Sequence, residues 1–287
     1  MFSKRAWLAG FALCFAMGLA LGQNTTTVTQ YSGWELVWHD EFDQDGRPNP
    51  DNWNFEQGFV RNREYQWYQP ENAFCENGIL IIEGRREKKA NPTYDPNSSH
   101  WAHSRQFIEY TSASLRTRGK HSWQYGRFEI RAKIEASDGL WPAIWTLGVQ
   151  RPWPHCGEID IMEYYRGMIL ANVAWWDQGG RWGTHWEDTH TSIEKLIEKT
   201  GDPNWADEFH VWRMDWDEHH IRLYVDDILL NEVNVNEATY ADGFNPFRQP
   251  HYLILNLAIG GTEGGDPSDT EFPTRYKIDY VRVYQRK

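Results

Sequence analysis

From Trp34 onward the apolar residues recur at every second position, a period that admits little besides β-sheet. Phe128, Ile130, Ala132 and Ile134 alternate with Arg127, Glu129, Arg131 and Lys133, as in a strand with one face in a core and the other toward water. Runs of the same kind lie at Trp34–Trp38, Ile79–Glu83, Ala143–Leu147, Ile169–Trp176, Phe209–Trp216, Tyr252–Ala258 and Lys277–Tyr284. Ile221–Val225 and Ile228–Val233 flank Asp226-Asp227, which reads as a hairpin turn. Only Thr191–Lys199 has helical spacing, with Ile193, Leu196 and Ile197 on one side. Short strands separated by turn residues predict an all-β sandwich or jelly roll, one domain spanning 34–287 without repeat or linker. Arg85–Ser99, polar and carrying Pro92 and Pro96, reads as a long surface loop.

The N-terminus departs from this pattern. Met1-Phe2-Ser3-Lys4-Arg5 is a short basic head, Ala6–Leu21 is almost wholly apolar, and Ala20-Leu21-Gly22 supplies the small residues of a cleavage site. Residues 1–22 are therefore expected to be a secretion signal, and 23–33, Thr-rich and polar, a flexible leader. The apolar run is short for a retained span of roughly 20 residues, and Cys14 follows Leu13 rather than a small residue, which argues against lipidation. The expected location is secreted or periplasmic. The chain has 41 acidic and 29 basic side chains, a net charge of −12, and loss of Lys4 and Arg5 with the signal makes it more acidic still. Such a chain repels phosphate backbones and anionic lipids, so neither nucleic acid nor a membrane is expected as partner once the signal is cut; a monomer is expected. Cys75 and Cys156 belong to no C-x-x-C pair and read as two separately buried thiols, a single bridge being the alternative.

The chain carries 17 Trp, 14 Tyr and 13 Phe, more than a core alone requires. The excess suggests exposed platforms, whose natural ligands are sugars. Trp141, Trp145, Trp153, Trp175, Trp176, Trp182 and Trp186 crowd around the sharpest polar feature, Gly157-Glu158-Ile159-Asp160-Ile161-Met162-Glu163. Alternation puts Glu158 and Asp160 on one face, and Glu163 falls one residue late. A β-bulge at Ile161-Met162 would return Glu163 to that face while Ile159 and Ile161 enter the core. Like charges in a row repel, an arrangement that makes sense where the acids hold different protonation states. A retaining glycosidase needs one ionised nucleophile and one protonated acid about 5–5.5 Å apart, with a middle acid tuning the nucleophile. A solvated strand face or a cation site has the same acid spacing; the surrounding tryptophans favour polysaccharide cleavage.

These motifs resemble glycoside hydrolase family 16, in particular its laminarinase-like branch of endo-β-1,3(4)-glucanases. The resemblance rests on Trp38-His39-Asp40-Glu41-Phe42, Ser114–Gly119, Tyr125-Gly126-Arg127-Phe128-Glu129, Gly139–Trp145, the Glu158–Glu163 strand and Ile278–Tyr284, in family order from about residue 34 to 285. It implies a concanavalin-like β-jelly-roll sandwich of two curved antiparallel sheets, with substrate along the concave one. It implies Glu158 as nucleophile, Asp160 as assisting acid and Glu163 as general acid/base. By the same resemblance Trp141 and Trp145 stack on sugars on the non-reducing side of the cut, and Arg116 and Asn62 bond their hydroxyls. Core packing for Trp145 and a surface ion pair for Arg116 are the alternatives. No cofactor takes part in the chemistry; a structural calcium at Glu41 and Asp279 is implied on the convex side. Asp43-x-Asp45-Gly46 imitates the start of an EF-hand loop but has Asn54 where Glu is required.

One departure concerns the leaving-group side. Laminarinases carry a Thr-x-His pattern after the carboxylate strand, whereas this chain has Asn172-Val173-Ala174-Trp175-Trp176, which places Trp175 as a stacking plane where a polar ring stood. The expected function is a secreted, endo-acting, retaining hydrolase of β-1,3- or mixed β-1,3/1,4-glucan. The alternatives are the same mechanism on a galactan, with Arg166 and Arg181 as candidate sulfate partners, or a glucan-binding protein without catalysis. No His-Glu-x-x-His, P-loop, dinucleotide turn or Gly-x-Ser-x-Gly elbow occurs.

Overall fold

Strands with one apolar face must bury it against a second layer, and here two sheets do so face to face. The computed structural model describes residues 28–181 and 183–287, Arg181 by its backbone alone. The expected signal, residues 23–27 of the leader and Trp182 lie outside the described residues. One sheet has ten strands, with Ile228–Asn234, His220–Val225, His210–Trp216, Gly126–Lys133, Thr274–Arg286, Ile79–Ala90, Phe107–Ser112 and Gln66–Tyr68 side by side, and Trp34–Asp40 and Ala73–Glu76 paired beside this path. The other has eight: Thr184–Glu187, Met168–Arg181, Glu158–Tyr165, Leu140–Gly148, His251–Ile259, Ser114–Arg116 and Asn54–Phe55 in order, with His190–Ser192 against Met168–Arg181. Among the described residues the named strands pair antiparallel except Gln66–Tyr68 beside Phe107–Ser112. The architecture is the expected β-jelly-roll sandwich of two curved antiparallel sheets.

One continuous core fills the space between the sheets. Phe128, Ile130 and Ala132 meet it from the ten-stranded sheet, and Ile159, Ile161, Val173 and Leu255 from the eight-stranded one, all fully buried or nearly so. A second, smaller apolar cluster of Ala143, Trp145, Tyr252 and Ile254 lies apart from it, on the outer face of the eight-stranded sheet. Single cross-strand rows carry that face across the sheet: Trp145 stands opposite Asp160 and Ile254, and Ile254 opposite Arg116.

The expected hairpin forms, with Asp226 at φ 51° and its carboxylate accepting from the Val211 N–H at 2.9 Å. The helix runs Ile193–Thr200, capped by the Ser192 hydroxyl and ended by Gly201 in the left-handed region. One boundary is corrected. Residues 85–90, expected as loop, continue the strand Ile79–Ala90 and pair with Phe107–Ser112. Their long charged side chains hide the period because they lie along apolar surface: the Arg86 guanidinium rests 5.6 Å from the Tyr110 ring and 5.1 Å from Phe272. Cys75 and Cys156 are separate buried thiols, pushed up by burial to about 12 and about 11. Among the described residues no helix is long and apolar enough to cross a membrane.

Candidate active site

The carboxylate strand Glu158–Tyr165 lies between Leu140–Gly148 and Met168–Arg181. Gly157 leads into it at φ 75°, where a Cβ would meet Pro246 at 2.8 Å and Phe247 at 2.9 Å, so a glycine is required. The register breaks where the spacing predicts. Asp160 faces Trp145 on one side and Asn172 on the other, but the next paired residues are Met162 with Ile144 and Glu163 with Leu170. The extra residue is absorbed at Ile161-Met162, both fully buried, and Glu158, Asp160 and Glu163 share the face away from the core.

Glu158 and Glu163 line a cleft of about 960 Å³ on that face, and Asp160 sits beneath, 1% exposed. The Trp141 indole N–H donates to Glu163 Oε1 at 2.7 Å, and the Trp153 indole N–H to Glu158 Oε2 at 2.5 Å. The buried Asp160 Oδ2 meets no donor among the described residues. The hydrogen bond open to Asp160 is with Glu158, which requires a proton on one of the two.

Electrostatics separate the three acids. Desolvation by the cleft walls, then the Glu158 charge, push Glu163 up to about 8, so it is protonated at neutral pH. Asp160 rises well above the carboxylate range through burial and its two acidic neighbours. Burial also raises Glu158, but the Trp153 bond, the Asp160 bond and the Arg61 charge pull it back. Glu158 is thus the acid among the three with the most support for its ionised form, and it stands beside a protonated one.

The cleft walls come from several elements. Asn62 lines the cavity from a loop in which Asn62 and Arg63 both take φ 52°. Gly261 lets this loop approach, since a Cβ there would lie 2.8 Å from the Asn62 carbonyl oxygen. Trp141 and Trp145 line the cavity at 8% exposure, and the Trp145 N–H is held by Asn256 Oδ1 at 2.7 Å. Arg61 lies 5.0 Å over the Trp145 ring and is ion-paired with Glu56. On the far side of the carboxylates stands Trp186, 40% exposed, opposite Ala174 in the row that also carries Glu158.

Three expectations are corrected. Trp175 does not face the cleft. It pairs with His185 one step out of phase with Ala174 and Glu158, so it enters the core against Phe247 at 5% exposure. Arg116 is on the cleft face but does not line the cavity, because Asn54 Oδ1 at 2.9 Å and Glu56 Oε1 at 3.4 Å hold its guanidinium; Arg61, sharing Glu56, reaches the cleft instead. Glu41 and Asp279 do not fit a calcium. Arg282 spans both Glu41 oxygens at 2.9 and 2.7 Å, Arg131 takes Asp279 at 2.6 Å, and a cation would have to displace a guanidinium from each. Sequence reasoning also missed Arg61, Glu64, Asn256, Trp153 and Trp186 as cleft residues. Asn256 had a signal, being the polar member of the alternating set Tyr252, Ile254, Asn256, Ala258.

A β-sandwich with a long open cleft, unlike-protonated carboxylates on its floor and indoles on both sides of them is the architecture of an enzyme that cuts glycan chains. A family model, "Glycosyl hydrolases family 16", matches residues 86–282, and the chain belongs to that family of glycoside hydrolases. The chain is similar to a "Beta-glucanase" from Rhodothermus marinus, 39% identical over 267 residues, 88% of this chain and 85% of that one. The laminarinase catalytic domain of Thermotoga maritima superposes with a TM-score of 0.72 at 35% identity, covering 88% of this chain and 99% of its own. A structure described with endo-acting O-glycanases that initiate mucin breakdown, from human gut bacteria, superposes at 0.81 with 36% identity, covering 91% and 94%.

Proposed function

We propose that this glycoside hydrolase is an exported, endo-acting, retaining enzyme that cleaves β-1,3- or mixed β-1,3/1,4-glucan. The observation that carries it is the bulged strand, which turns Glu158, Asp160 and Glu163 to one face of an open cleft. Glu163, protonated at neutral pH, gives its proton to the departing glycosidic oxygen while Glu158 attacks the anomeric carbon. Water then resolves the glycosyl-enzyme with Glu163 as base. Asp160 holds the proton that Glu158 needs nearby, bonding it without neutralising it. Trp141 and Trp145 with Asn62 bind the non-reducing side, and Trp186 replaces Trp175 as the plane beneath the leaving sugar. An open cleft holds a chain interior, which favours endo action. Export is supported by the basic head, apolar run and small residues of 1–22.

The cleft also favours an uncharged glycan. Among the described residues its lining includes the acids Glu64, Glu158, Glu163, Asp188 and Glu263, and its arginine, Arg61, is already paired with Glu56. Arg166 on the rim meets Glu263 at 3.8 Å. A sulfate would find repulsion there rather than a partner. A second reading, the same chemistry on the O-glycans of mucin, is favoured by the closer superposition on the structure described with O-glycanases, 0.81 against 0.72 for the laminarinase domain.

A reducing-end assay on laminarin, lichenan, desulfated mucin O-glycans, agarose, porphyran and κ-carrageenan decides between them, with Glu158→Gln as the blank. Oligosaccharides from laminarin or lichenan, absent with the variant, are the expected result. Release from the O-glycans alone keeps the mechanism and selects the second reading. Activity confined to porphyran or κ-carrageenan overturns the neutral-glycan argument.

A further inference from the structure

Among the described residues Trp153 is the most exposed of the large apolar side chains, 51% open to solvent, yet its indole N–H is committed to the cleft floor. A half-exposed tryptophan in a loop is ordinarily free to turn; this one is fixed from behind. Gln249 clamps the loop Val149–Gly157 at both ends, accepting from the Gln150 N–H at 2.7 Å and donating to the Cys156 carbonyl at 2.8 Å. Arg151 is tied to Asp242 at 2.9 Å and lies 3.8 Å over the Phe244 ring, and Tyr240 donates to the His155 carbonyl at 3.2 Å. The loop's return packs directly on Gly148, where a Cβ would lie 2.2 Å from the Cys156 carbonyl oxygen.

We infer that Trp153 is a further catalytic residue: its N–H holds Oε2 of the Glu158 nucleophile and leaves Oε1 as the attacking oxygen. The inference rests on the nucleophile assignment made above. When Oε1 forms the ester with the sugar, Oε2 becomes its carbonyl oxygen. The same N–H then stabilises the negative charge that returns to Glu158 as water releases the sugar.

The groups around Glu158 make this bond matter. Asp160 and Glu163 share its strand, Cys156 precedes it in the loop, and Arg61 faces it from the cleft wall. The residues directly opposite on the two neighbouring strands, Leu147 and Ala174, carry no charge. Of the influences that pull the Glu158 carboxyl down against burial, the Trp153 bond is the largest. A hydrogen bond to a charged group in such a setting accounts for about tenfold to hundredfold in an equilibrium or rate.

The test is the Trp153→Phe variant, which keeps an aromatic ring and removes the N–H. Carbon-13 NMR of glutamate-labelled protein, with the Glu158 carboxyl assigned by Glu158→Gln, gives its titration in wild type and variant without any need for activity. The Glu158 midpoint should rise by about one pH unit in Trp153→Phe. In parallel the acid limb of kcat/KM should move up with it and kcat fall by about tenfold or more, with the thermal midpoint unchanged. A Glu158 midpoint identical in the two proteins overturns the inference. A raised midpoint in a protein inert on every glycan upholds the bond and sinks the glucanase reading instead.

Discussion

The two outer faces of the sandwich treat acidic side chains in opposite ways. On the ten-stranded sheet acids repeatedly meet a guanidinium: Asp215 with Arg127 at 2.7 and 2.8 Å, Asp279 with Arg131, Glu83 with Arg275 at 2.9 Å, and Glu41, just past the strand Trp34–Asp40, with Arg282, while Glu129 accepts from the Tyr31 hydroxyl. On the eight-stranded sheet three acids stand together with indole N–H groups and one another, and the nearby Arg61 is bound to Glu56. The first arrangement satisfies charge and fixes register across strands. The second leaves charge unsatisfied, and the result is a proton held at neutral pH where a departing oxygen needs one. The lesson is that a site shows itself where several acids crowd together without the guanidinium pairing that recurs on the opposite face.

The contrast can be broken at both faces. Glu158→Gln should lower the rate by at least about 10³-fold, the scale for removing a nucleophile, while the protein stays folded; unchanged hydrolysis in the reducing-end assay would remove Glu158 from that role. Trp186→Ala should reduce kcat/KM by about tenfold to hundredfold on a polymer, and much less on a substrate whose leaving group is a small phenol, if the ring lies beneath the leaving sugar. Equal losses on both would place Trp186 elsewhere. Trp175→Phe should change stability rather than selectivity.

On the paired face, Arg282→Met leaves Glu41 without its guanidinium. It should cost about 3 kcal/mol and lower the thermal midpoint by about 6–12 °C, with kcat/KM at 25 °C intact. A midpoint within a degree of wild type would show that the face is not held by its pairs. The pH response should sharpen the same division. Glu163 is raised to about 8 in the folded protein, against about 4.3 for a free glutamate. Protonation therefore favours the folded state, and that contribution declines as pH rises from about 4.3 and is gone above about 8. Glu163→Gln, which cannot ionise, should thus melt higher than wild type at pH 9 and similarly at pH 4. The alkaline limb of kcat/KM should fall near pH 8 as the acid loses its proton in the free enzyme. The smallest effect expected is that of a chelator: with Glu41 and Asp279 in guanidinium pairs, EDTA should leave the thermal midpoint in place.

How much of this was legible from residues alone follows a physical line. Long strands announced themselves by period, and the bulge could be read because Glu158, Asp160 and Glu163 are themselves the irregular spacing. What the sequence did not carry is register between strands. Ala174, not Trp175, stands opposite Glu158, and neither residue's neighbours reveal that one-step difference, which decides between cleft and core. Trp186 lies on the four-residue edge strand Thr184–Glu187, too short for a pattern to form. Arg116 was placed on the correct face, but its capture by Asn54 and Glu56 joins residues about sixty positions apart. Glu41 and Asp279 have the chemistry of hard-oxygen ligands, and the guanidinium groups that take them, Arg282 and Arg131, are distant in sequence from Glu41 and Asp279 respectively.

The central claim is that the unpaired acids have divided labour, with Glu158 as the one that bonds to sugar. An activated 2-deoxy-2-fluoro-β-glycoside, which forms the glycosyl-enzyme faster than water can release it, tests this directly by peptide mass spectrometry. The expected result is a sugar adduct on the peptide carrying Glu158, mapped to that residue and absent from Glu158→Gln. An adduct on Glu163, or turnover that yields product of inverted anomeric configuration with no adduct at all, would contradict it.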